Sequence, residues 1–206
     1  MAAGRNAPQE NNMTTFDYDL RYVQAGVEQL EAYLLSPELY WPSGVSARSG
    51  ETPYPQLTLS NLLLALRRLQ ATAQTPGQKE ELSRLEQQLE ANRYRWRSAW
   101  RKKAQVDFHA RLRLWRDFLE EYRQKPSAHY DRYTYEVGRR VQLHLLESEI
   151  PDLKAAEKEA VQGLDKLLRA FFVPGEFVWD AALKSSFPPE TFWYLYGHLR
   201  VEVSGG

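Results

Sequence analysis

QKEELSRLEQQLEANRYRWRSAWRKKAQVDFHARLRLWRDFLEEYRQK, residues 78–125, runs for 48 positions without a proline or a glycine. Glu, Gln, Arg, Lys, Leu and Ala dominate it, and all are good helix formers. Leu82, Leu85 and Leu89 recur at helical spacing, and Trp96, Trp100, Leu114 and Phe118 continue the same stripe. The pattern predicts one helix over 77–124. At 1.5 Å per residue its regular part would be about 68 Å long. A compact domain of this length is only about 43 Å across. The helix is therefore expected to project from the body, with Trp96 and Trp100 buried along its seam.

Upstream, Thr75-Pro76-Gly77-Gln78 serves both as a stop and as a start. Thr75 can cap, Pro76 tolerates the first helical position, and Gln78 can close a capping box. Leu62, Leu66, Leu69 and Ala73 form the seam of a helix over 59–74, expected to fold back on the leucines of the long helix. Four prolines and two glycines crowd residues 36–56, which predicts a loop. Leu39, Tyr40, Trp41 and Tyr54 within it predict that it packs down. Leu20, Val23, Val27, Leu30 and Leu34 give a first helix over 17–35, preceded by a polar tail over 1–15.

Downstream, helices are predicted over 128–149 and 152–170. Residues 171–196 hold nine aromatics, punctuated by Pro174-Gly175 and Pro188-Pro189. They predict short helices within 175–198, and 204–206 form a second tail. No alternation of period two persists, although Leu199 to Val203 alternates weakly. The expected fold is all-α: a single helical domain over 16–203. It would be an elongated antiparallel bundle, coiled-coil-like, around one long central helix, with an aromatic-rich C-terminal segment of short helices.

Composition bounds the chemistry. The chain has no cysteine, which excludes disulfides, thiolate nucleophiles and Cys-ligated zinc. Nothing approaches eighteen consecutive apolar residues, and residues 1–15 lack the apolar core of a signal peptide. No membrane contact is expected, and the compartment expected is the cytoplasm. The formal net charge of zero hides an asymmetry. Residues 61–125 carry 15 basic and 8 acidic side chains, while the flanks on either side are acidic.

The basic excess centres on 93–116, where nine Arg and Lys residues face a single acid, Asp107. Tyr94, Trp96, Trp100, Phe108 and Trp115 interleave with them. Arginines grip phosphates and exposed rings stack on unpaired bases. Arg93, Arg97, Arg101, Lys102 and Arg111 are thus candidate nucleic-acid-binding residues. The competing reading pairs these cations with the acidic flanks. His109, His129, His144 and His198 show no metal-ligand spacing, so no metal and no cofactor are expected. Arg132, Glu136, Arg140 and Glu147 alternate in sign, as an exposed ion-pair face does. No nucleophile elbow or phosphate loop is present. The first function expected is a non-enzymatic protein-interaction or scaffold module, acting on a protein partner or by self-association. Its surface would be the projecting helix pair or the aromatic tail. The alternative is nucleic-acid binding through 93–116. An enzyme built on an Arg-Tyr-His pocket ranks third.

Overall fold

The computed structural model describes residues 15–200. It is mostly helical. Helix α1 (Phe16–Leu35) starts at Thr15, whose hydroxyl accepts from the Tyr18 amide. Thr15 thus belongs to the folded domain and not to the expected tail. The rest of the tail proposed over 1–15, and the tail proposed over 204–206, lie outside the described residues. Helix α2 (Leu59–Thr72) is capped by Thr58. Helix α3 (Pro76–Arg95) opens on the capping box of Thr75 and Gln78, with proline in its first turn.

The continuous helix expected over 77–124 is not formed. It breaks at Trp96, whose φ of −110° and ψ of 31° leave the helical region, and resumes as α4 (Arg97–Gln124). No glycine or proline causes this; the two halves have different partners. Helix α3 lies against α1, whereas α4 packs on α7 and also meets α1, α2 and α8. Glu149 spans the break. Its Oε2 accepts from Arg93 of α3 at 2.8 Å and from the Trp100 indole of α4 at 2.9 Å. Trp100 is buried as expected, but Trp96 is only half-buried at the corner, with Arg95 lying over its ring.

The helix expected over 128–149 is likewise fragmented. It comprises α5 (Pro126–His129), a 3₁₀ turn over Tyr130–Arg132, α6 (Tyr133–Glu136) and α7 (Gly138–Glu147). Helix α8 (Ala155–Phe171) runs into strand β1 (Phe172–Phe177). That strand pairs antiparallel with β2 (Tyr196–Leu199), and 3₁₀ turns over Ala181–Ser186 and Trp193–Leu195 lie between them. The short helices expected within 175–198 are therefore the two 3₁₀ turns inside a hairpin. Gly197 is required in that hairpin. Its φ is +154°, and a Cβ there would sit 2.2 Å from the Val173 carbonyl oxygen. The rings of this segment form one cluster, with Phe187, Phe192 and Tyr194 fully buried.

The proline-rich loop packs down. Trp41 and Leu57 exchange backbone hydrogen bonds of 3.1 and 2.7 Å. Tyr54 stacks on Tyr18 at 4.2 Å, and the Tyr22 and Tyr33 hydroxyls donate to the Gln56 and Leu39 carbonyls. Among the described residues no helix is long and apolar enough to cross a membrane.

Candidate functional site

A groove of about 740 Å³ opens where six segments meet: α1, the 36–58 loop, α2, α4, residues 131–142, and the stretch after β1. That volume falls in the range of ligand sites. Tyr18 comes from α1, and Tyr40, Pro53, Pro55 and Gln56 come from the loop. Asn61, Leu64 and Arg68 lie on α2, and Arg111 and Leu114 on α4. Thr134, Tyr135, Arg139 and Gln142 form a third wall, and Val178, Trp179 and Leu183 a fourth. The loop is positioned by its stacking on α1. The last wall is positioned by the Trp179 indole, which donates to the Thr134 carbonyl at 2.9 Å.

The three arginines of the groove are each tied to a carboxylate behind the wall. Arg68 forks onto Asp19, with contacts of 2.5 to 3.1 Å. Burial raises the Asp19 carboxyl above its ordinary range, and Arg68 pulls it back. Arg139 pairs with Glu136 and also donates to the Leu114 carbonyl. Arg111 donates through Nε to Asp107 at 2.9 Å. The second oxygen of Asp107 accepts the Ser60 amide of α2's first turn at 2.7 Å, so a fully buried carboxylate welds α4 to the start of α2. The Asn61 and Gln142 amides bond to each other at 2.6 Å. Burial lifts the Tyr18 phenol to about 12, which leaves a neutral hydroxyl on the wall.

The sequence-derived cations fall elsewhere or face otherwise. Arg93 belongs to α3 and bonds Glu90 and Glu149. Arg97 and Arg101 belong to α4, on the other side of the break at Trp96 from Arg93. Lys102 is exposed. Arg111 is a correction: it is not on a basic surface but 8% exposed, on the inward side of α4 beside Asp107. Lys103 is buried too, donating to the Ser36 and Glu38 carbonyls at the end of α1. Arg97, Arg101, Lys102, Arg113 and Arg116 are exposed, and none has an ion pair among the described residues.

The alternating charges of 132–147 were expected on a solvated face. Glu136 and Arg140 are instead buried. Arg140 forks onto Asp165 at 2.8 and 2.9 Å with its guanidinium over the Tyr194 ring, and Arg132 bridges Glu136 and Glu121. The fragmented backbone of this segment turned those positions inward. His109 meets Glu157, His129 meets Arg132, and His144 stands edge-on to Phe192. The groove itself was missed from sequence, because its walls come from residues more than a hundred positions apart. The one legible signal was the apolar content of the 36–56 loop, whose Leu39, Tyr40, Trp41 and Tyr54 predicted that it packs down. No family model matches the chain, and no curated protein or solved structure is significantly similar to it.

Proposed function

We propose that the protein is a non-enzymatic interaction module whose working surface is this groove, with a segment of a partner protein as its occupant. The observation that carries the reading is the mouth of the groove. Tyr40 and Tyr135 both line it, and both are large rings left in water, Tyr135 at 79% exposure. Exposed aromatics beside a concave, preformed wall are what interfaces concentrate. The charged groups support the same reading. Pairing with Asp19, Asp107 and Glu136 fixes the shape of the wall rather than readying a group for proton transfer. In this reading the helices form an elongated antiparallel arrangement around α4, and the protein works in the cytoplasm.

A random peptide library displayed on phage tests this. Enrichment is expected on the wild-type chain and is expected to vanish on Thr134→Trp. Thr134 is an exposed groove residue, and only its backbone carbonyl serves the fold. Enrichment that ignores the added indole, or none at all, sinks the groove reading.

One observation favours the second reading, nucleic-acid binding: the five exposed cations of α4 that form no ion pair among the described residues. That reading expects single-stranded RNA or DNA to shift in a gel at low salt. The affinity should fall steeply as salt rises, by nearly one counterion per phosphate contact. No shift at low salt ends it.

A further inference from the structure

We propose that the segment taken up by the groove carries an aspartate or glutamate, and that its side-chain carboxylate seats on Nη1 of Arg111. This rests on the groove reading and adds the chemistry of recognition to it. Arg111 is more than nine-tenths buried, and its guanidinium offers five donors. Only Nε is used, toward Asp107. Nη2 is closed off from solvent and, among the described residues, has no hydrogen-bond partner; Nη1 forms no hydrogen bond there either. The other two groove arginines differ, since each commits a terminal nitrogen to a carboxylate.

Charge points the same way. Asp107 divides its carboxylate between Arg111 and the first turn of α2, whose amides are themselves electropositive. One negative charge thus faces two positive demands, and Arg111 is under-neutralised. A guanidinium whose Nη1 still has donors to give matches a carboxylate in charge. The Tyr40 ring, 5.8 Å from the guanidinium carbon, and Leu114 shield it from water. Shielding strengthens a charged hydrogen bond. Asp131 and Asp180 also line the groove. They oppose a diffuse polyanion such as nucleic acid but leave room for a single carboxylate at Arg111.

The test uses hexapeptide pools acetylated and amidated at their ends, so that only side chains supply carboxylates. One position is fixed as Glu or as its uncharged isostere Gln, and retention on the immobilised full chain is compared. The wild-type chain is expected to retain at least one Glu pool about tenfold or more over its Gln counterpart. Asp107→Asn with Arg111→Met removes both buried charges and keeps a carbonyl for the Ser60 amide. In that double variant the Glu-to-Gln ratio should fall to about one. The comparison of pools on the wild type needs no variant, so a misfolded variant does not spoil it. Equal retention of Glu and Gln pools, with retention still lost in Thr134→Trp, overturns the carboxylate and leaves the groove standing. A Glu preference that survives in a folded double variant also overturns it. No retention of any pool removes both.

Discussion

Replacing Trp100 with alanine is expected to destabilise the fold by about 3–5 kcal/mol, the cost of truncating a fully buried aromatic. The indole is 1% exposed and heads the inward face of α4, with Ala104, Phe108 and Trp115 below it. Its loss leaves a cavity where α3 gives way to α4. It also strips Glu149 of one of its two donors across the break, leaving Arg93 alone on a carboxylate that is itself buried. Urea denaturation read by linear extrapolation measures the change. A loss under about 1 kcal/mol, the ordinary effect of a surface substitution or less, places the indole outside the core and contradicts the fold at this corner.

Replacing Asp107 with alanine is expected to cost a similar amount, about 3–5 kcal/mol, by a different route. No cavity of consequence forms. Instead the Arg111 guanidinium stays buried with no counter-charge, and the Ser60 amide in α2's first turn loses its acceptor. Asp107→Asn should recover part of the loss, because the amide oxygen still accepts from Ser60. The double variant Asp107→Asn with Arg111→Met should be closer to the wild type than Asp107→Ala, since removing both charges avoids the desolvation cost of either. Thermal or urea unfolding of the three variants checks the order. If Asp107→Ala unfolds with the wild type, the buried pair contributes nothing and α2 is capped by Thr58 alone.

Local chemistry was readable wherever neighbours in sequence decided it. The Thr75–Gln78 capping box and the buried Leu82, Leu85, Leu89 seam both form as their spacing implied. Tertiary choices were not readable. Trp96 leaves the helical region in a stretch with no helix breaker, because α1 holds one half of the stretch and α7 the other. Phe172 to Phe177 becomes a strand although Pro174 and Gly175 interrupt it, since its pairing partner lies twenty residues on. Arg111 read as a surface cation because nothing in its neighbourhood says that Asp107, four residues back, faces the start of α2. The groove was invisible for the same reason: Tyr40, Arg111, Tyr135 and Trp179 have no sequence relationship that a period could reveal.

The break at Trp96 also sets two levels of resistance to local opening. Helix α4 buries twelve of its residues, two of them tryptophans, whereas the twenty residues of α3 bury only Leu82, Leu85 and Leu89. Had the two been one rod, fraying at the outer end would have been resisted by the whole seam. With the backbone ladder interrupted, α3 can melt without disturbing α4. The carboxylate of Glu149 then joins the end of α3 to the start of α4, while Gln24 and Gln70 tie α3 to α1 and α2 through Glu81 and Glu86. Hydrogen–deuterium exchange is therefore expected to find the α3 amides opening through a shallow, sub-global excursion, and those around Trp100, Phe108 and Trp115 only when the whole molecule unfolds. The groove takes none of its walls from α3, so its shape is expected to persist when α3 opens.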